Sequence, residues 1–179
     1  MTLALFAITS AWAQEHIGSV NGGYVFTNLQ RTDINASGWR IDGRYEFNPN
    51  NEILSHGLVV GYLSTTATGD TIGQEVDYKL NNWPIYYAPK VMFGKNKIKA
   101  FVKGALGIHF SGYERRAGTT AAEVITNDTG FFGGASVGAM IFFTENFFLN
   151  VEYEWSYLSN SYYRNGMVNS AMGGLGIRF

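Results

Sequence analysis

Apolar and polar residues alternate with period two along much of this chain. From Trp39 to Asn48, one parity holds Trp39, Ile41, Gly43, Tyr45 and Phe47; the other holds Arg40, Asp42, Arg44, Glu46 and Asn48. Successive strand residues point to opposite faces, so the run predicts a strand with one apolar and one charged face. A single such run fits any half-buried strand, and recurrence is what carries the argument. From Phe147 to Leu158, Phe147, Leu149, Val151, Tyr153, Trp155 and Tyr157 share a face opposite Asn150, Glu152, Glu154 and Ser156. From Lys97 to Ser111, Ile98, Ala100, Val102, Leu106, Ile108 and Phe110 oppose Lys99, Lys103, His109 and Ser111. Met167 to Phe179 closes the chain, with Ala171, Gly173, Leu175, Ile177 and Phe179 on one face.

Four further strands are expected: His16 to Leu29, Leu54 to Ser64, Val76 to Ala88 and Thr129 to Phe143. In the third of these the parity of Tyr78 and Leu80 differs from that of Trp83, Ile85 and Tyr87. A bulge between Asn81 and Pro84 would restore the pattern and give the proline a place. Short connections (Pro49 to Glu52, Gly94 to Lys97, Thr144 to Asn146) alternate with long ones (Arg31 to Ser37, Thr65 to Glu75, Gly112 to Asp128, Ser159 to Asn165). Eight strands joined this way predict an all-β, eight-stranded antiparallel up-and-down transmembrane β-barrel with both termini on the periplasmic side.

Composition decides for the membrane. Charged residues make up 15% and aromatics 16% of the 179 residues, against about 25% charged in soluble domains. No apolar run reaches the roughly 18 residues of a spanning helix, whereas in a barrel only every second residue meets lipid. A net charge of −1 and the absence of cysteine argue against nucleic-acid binding and against disulfide or thiolate-metal chemistry. Leu3 to Thr9 with Ala11-Trp12-Ala13 reads as a signal peptide over residues 1–13, although no Lys or Arg precedes Arg31. The barrel domain is then 14–179. Aromatic girdles are expected at both interfaces. Trp39, Tyr62, Tyr78, Phe110, Phe131, Trp155 and Tyr157 fall near external strand ends. Phe47, Trp83, Tyr87, Phe143, Phe147 and Phe179 fall near periplasmic ones.

The last strand ends Gly174-Leu175-Gly176-Ile177-Arg178-Phe179. With the strands so placed, the chain resembles the small outer-membrane β-barrels that include the opacity-type proteins and the transmembrane half of OmpA. The resemblance covers about Gln14 to Phe179. It implies an outer-membrane location, and it implies that Gly174, Ile177 and Phe179 form a signal for the barrel-assembly machinery. Met172 departs from the polar residue usual two places before the glycine. Functions vary widely across such barrels, so fold does not fix function.

The inward parity carries the candidate chemistry: Arg40, Arg44, Lys79, Lys99, Lys103 and Arg178 against Asp42, Glu46, Asp77, Glu152 and Glu154. Lysine or arginine on the lipid face would cost about 2–4 kcal/mol at midplane, so these must face the interior. Their balance suggests a paired network filling a narrow lumen, with inward Gly130, Gly134, Gly138, Gly174 and Gly176 leaving room for long basic side chains. A narrow porin-like path for small solutes is the alternative. Glu152 and Glu154 could form a catalytic carboxylate pair, and His109-Phe110-Ser111 resembles the His-x-Ser of lipid-A deacylases, but Gly112 stands where that motif has asparagine. No enzyme, cofactor or metal site is expected, since His16 and His56 lack ligand spacing. The partners expected are outer-membrane lipid, the assembly machinery and a surface ligand or envelope protein. Loop residues Tyr113, Glu114, Arg115, Arg116, Tyr162, Tyr163 and Arg164 are candidates for the surface contact.

The terminal pattern yields a test. Phe179→Asp should lower outer-membrane levels in cells more than it impairs refolding into detergent. Equal outer-membrane levels of variant and wild type would count against an assembly signal at Phe179.

Overall fold

In the computed structural model the alternating runs pair into a single closed barrel in the strand order of the chain. The structure describes residues 15–29, 34–49, 53–71, 74–94, 97–117, 123–159 and 162–179, so the signal peptide expected over 1–13 lies outside the described residues. The strands are β1 (Glu15–Leu29), β2 (Asn35–Asn48), β3 (Leu54–Thr71), β4 (Gln74–Phe93), β5 (Ile98–Ala117), β6 (Glu123–Phe142), β7 (Phe147–Leu158) and β8 (Tyr163–Arg178). Neighbours pair antiparallel, and β1 closes on β8, with His16 N–H donating to the Phe179 carbonyl at 3.0 Å and Phe179 N–H to that of His16 at 2.9 Å. Closure leaves no strand edge within the bilayer, where an unpaired backbone group costs several kcal/mol.

The apolar parity points outward. Ile41, Val60, Ile85, Val102, Leu106, Val137, Val151 and Leu175 are all exposed on the wall, and their sequence neighbours are turned inward. Side chains that a soluble protein would hide are here left for lipid.

Several sequence expectations are corrected. β3 to β6 run well past the predicted ends: most of Thr65 to Glu75 and of Gly112 to Asp128 is strand, not loop. Beyond the bilayer no lipid enforces alternation, so the hydrophobic signal fades while the backbone ladder continues; Thr65, Thr66, Thr68 and Thr71 still favour it. β4 has no bulge. It pairs in one register with β3 from Leu54↔Val91 to Thr71↔Gln74, and the ladder skips only Gly61–Pro84 and Tyr62–Trp83, where the proline has no N–H to give. Parity changes near Asn81 because the apolar face changes sides. Ile85 and Tyr87 face lipid, whereas Tyr78 and Leu80, higher up, face an apolar interior. Tyr78, expected in a girdle, therefore leaves it. Register shifts lie elsewhere: on β5–β6 between Tyr113↔Thr126 and Glu114↔Val124, and on β1–β8 between Thr27↔Val168 and Leu29↔Tyr163, near the start of β8. Asn165 (φ 53°) and Gly166 (φ 69°) take the left-handed conformation there, which Asn and Gly tolerate best.

Val151 is exposed on the wall, while its neighbour Asn150 is buried and donates to Asn21 at 2.9 Å. Val151→Arg should cost about 2–4 kcal/mol in lipid refolding titrations. Asn150→Ala should cost about 1 kcal/mol, the value of a lost hydrogen bond. The reverse order would place β7 one residue out of register.

Candidate functional site

The interior is built in layers by the inward parity of all eight strands. Midway along the barrel lie four cations, Arg40, Arg44, Lys90 and Lys103, and four carboxylates, Asp42, Glu46, Glu152 and Glu154; each is 5% exposed or less. Four against four makes the layer neutral. Arg40, on β2, uses all three guanidinium nitrogens. Nε donates to Asp42 at 2.9 Å, Nη1 to Glu154 on β7 at 2.5 Å and Nη2 to the Tyr86 hydroxyl on β4 at 2.8 Å. Arg44 reaches Glu152 at 2.8 Å and lies 3.7 Å from Glu46. Lys103, on β5, bridges Glu152 and Glu154, the latter at 2.9 Å. Lys90 pairs with Glu46. Ser55, Asn150 and Ser156 add one hydrogen bond each, to Glu46, Glu152 and Glu154 in turn.

Apolar side chains lie on either side of this layer. Toward the termini, Ile17, Met92, Phe101, Met140, Phe142 and Phe148 form a cluster. Toward the long hairpins a larger cluster includes Val25, Leu63, Leu80, Phe132, Leu158, Tyr163 and Val168, with Tyr113 and Tyr162 packed against it. A polar chain crosses this second cluster. His109 Nδ1 lies 2.8 Å from Ser111 Oγ, which donates to Asn82 at 2.5 Å; Asn82 donates to Tyr163 at 2.8 Å, and Tyr163 lies 3.1 Å from Thr65 Oγ1. His109 and Ser111 are buried in the interior, whereas lipid-A chemistry would require a site open to lipid.

The structure brings together seven of the predicted inward charges: Arg40, Asp42, Arg44, Glu46, Lys103, Glu152 and Glu154. Asp77 and Lys79 do not belong to that set. They lie exposed on the outer side of the β4 extension, where water replaces lipid and a charge carries no penalty. Lys99 and Arg178 have the inward parity but sit at the barrel mouth, half-exposed, with Arg178 3.3 Å from Glu15. Sequence reasoning missed Lys90, because the strand expected over Val76 to Ala88 stopped two residues short of it; the parity shared with Tyr86 and Ala88 was the available signal.

Other placements also change. Gly138 and Gly176 leave room for the rings of Phe101 and Phe148, against which a Cβ would collide, rather than for basic side chains. Trp39, Tyr62 and Trp83 pack in a row as tilted rings, with centroids 5.1 and 4.5 Å apart, so Trp83 belongs to the same girdle as Trp39, not to the one nearest the termini. Trp155 and Tyr157 are likewise exposed toward the long hairpins, and Tyr87, Phe143, Phe147 and Phe179 toward the termini. Gly174 and Ile177 lie on β8 opposite Asn21 and Gly18. Tyr163, expected as a loop contact, is fully buried, and Tyr113 and Tyr162 stack on each other at 4.8 Å. Arg116 and Arg164 remain exposed; Glu114 and Arg115 are half-buried.

Among known proteins, a sequence profile described as the outer membrane protein beta-barrel domain matches residues 1–179. No curated protein sequence matches. Neisserial surface protein A superposes with a TM-score of 0.67 at 14% identity, over 92% of this chain and 97% of that one. Ail, the attachment invasion locus protein of Yersinia pestis, gives 0.55 at 16%, over 91% and 98%. OprG of Pseudomonas aeruginosa gives 0.53 at 11%, over 93% and 96%. At these identities the likeness shows the fold.

Arg40→Met removes one partner and leaves the buried Asp42 and Glu154 short of charge. It should destabilise the barrel by about 3–5 kcal/mol. Adding Glu154→Gln should cost less than the sum of the two single changes, because the double variant removes both ends of one pair. Urea titrations in detergent micelles measure both; strict additivity would mean that the pair does not interact.

Proposed function

The chain belongs to the outer membrane protein β-barrel domain family, and from that membership we propose that it is a non-enzymatic barrel with a sealed interior that acts by contact at the cell surface, its termini periplasmic. The neutral layer of eight buried charges carries the reading. Arg40 spans from β2 to Glu154 on β7 and Tyr86 on β4, and Lys103 from β5 to β7, so paired side chains occupy the space that a solute would need. An eight-strand barrel is only wide enough to be filled by its own side chains. The apolar clusters above and below would also resist water and ions.

The contact surface follows from the extended strands. β3 pairs with β2 only as far as Thr66, and β6 with β7 only from Phe132. Beyond these points β3 to β6 form a four-stranded sheet that, among the described residues, has a partner on one side only at each outer strand. Such edges offer backbone donors and acceptors to an extended segment of another protein. Ail carries attachment and invasion in its name; a related surface role here is part of the proposal.

Planar-bilayer recording tests the sealed interior. Wild type should pass no stable current, and Glu152→Gln with Glu154→Gln should raise conductance by removing the anions that hold Arg40, Arg44 and Lys103 in place. Large, stable, ion-selective currents from wild type would promote the porin-like alternative instead.

A further inference from the structure

The four cations of the buried layer each have a carboxylate partner, but at the mouth nearest the termini the balance changes. A cleft of about 370 Å³ is lined by Lys97, Lys99, Phe142, Phe143, Thr144, Glu145 and Arg178. Lys99 Nζ lies 5.5 Å and Arg178 Cζ 5.3 Å from the centre of the Phe142 ring, so one aromatic ring holds two like charges at the same cleft. Arg178 has Glu15 at 3.3 Å. Lys97 and Lys99 have no carboxylate within ion-pair distance among the described residues, and Glu145 in the cleft wall pairs with neither. Three cations against Glu15 and Glu145 leave an excess of positive charge.

The cleft also straddles the rim. Phe142 faces the interior, while Phe143 is 57% exposed on the lipid side beside Phe147, whose carbonyl accepts the Phe143 N–H at 3.0 Å. A ligand here would meet cations on one side and an acyl-facing aromatic wall on the other. We propose that this cleft binds the phosphodiester headgroup of an anionic phospholipid, phosphatidylglycerol, with the phosphate between Lys97, Lys99 and Arg178 and the acyl chains against Phe143 and Phe147. Basic pockets at a membrane interface select such headgroups by charge. With the termini periplasmic, as proposed above, the lipid comes from the inner leaflet. Binding itself does not depend on that orientation or on a sealed interior.

Native mass spectrometry of the intact barrel in a non-ionic detergent tests this, with phosphatidylglycerol and phosphatidylethanolamine offered in equal amounts. Wild type should retain phosphatidylglycerol in preference. Lys97→Gln with Lys99→Gln should weaken retention by about five-fold for each cation removed. Lys79→Gln, which removes an exposed cation at the opposite end, should leave it unchanged. Heat-modifiable migration establishes that each variant is folded; should the double variant not refold, Arg178→Gln on the facing wall is read in its place. Equal retention of the two lipids by wild type, or undiminished retention by a folded cleft variant, would overturn the assignment. So would displacement of the lipid by an equal concentration of inorganic phosphate, which would mark a site for the free anion. A conducting barrel would defeat the sealed-interior reading and leave this result standing.

Discussion

Inside a bilayer no backbone N–H or C=O can go without a partner, and no strand can keep an open edge. Here that requirement is met by the pairing of β1 with β8, closed at the end nearest the termini by reciprocal bonds between His16 and Phe179. The rest follows from closure. Eight strands bent into a ring make an interior about as wide as two facing side chains, so residues that cannot face lipid must meet one another. Charged residues excluded from the wall are thereby forced into mutual contact, and at such burial only a balanced set is tolerable.

The interior solves this by dividing the labour between charge and shape. The ionic layer supplies directional contacts across the barrel, each long basic side chain tying together strands far apart in sequence. The apolar layers flank it on both sides. Phe101 and Phe148 close the space on one side by lying over Gly138 and Gly176 on the neighbouring strand, an arrangement in which a missing side chain is filled by a neighbouring ring. Tyr86 joins the layers: its hydroxyl accepts from Arg40, while its ring packs 4.6 Å from that of Phe132.

Where the lipid ends, the rule relaxes. Charges such as Asp77 and Lys79 face outward, inward positions become apolar, and the ring opens into a sheet of four strands. One continuous strand, β4, obeys both regimes, and its apolar parity changes sides between Leu80 and Trp83. The same backbone thus serves as membrane wall over one part of its length and as a projecting sheet over the other.

Much of this was legible from residue order alone. Period-two alternation is a local property, so it specified which residues form strands and which parity faces lipid, down to both ends of β7. It also placed Arg40, Asp42, Arg44, Glu46, Lys103, Glu152 and Glu154 on inward faces, because lipid forbids the other choice. It could not say which cation meets which carboxylate, since partners on β2, β4, β5 and β7 are brought together by register and by the curvature of the ring. It also misjudged every position where the solvent outside the wall changes: Asp77, Lys79 and Tyr78 obey the alternation, yet what each face meets is decided by height above the bilayer. Lys90 escaped because the expected strand stopped at Ala88, whereas pairing with β3 and β5 carries β4 on to Phe93. Local pattern determined the strands and their two faces; the closed tertiary structure decided the partners, because only closure fixes which side chains share the interior.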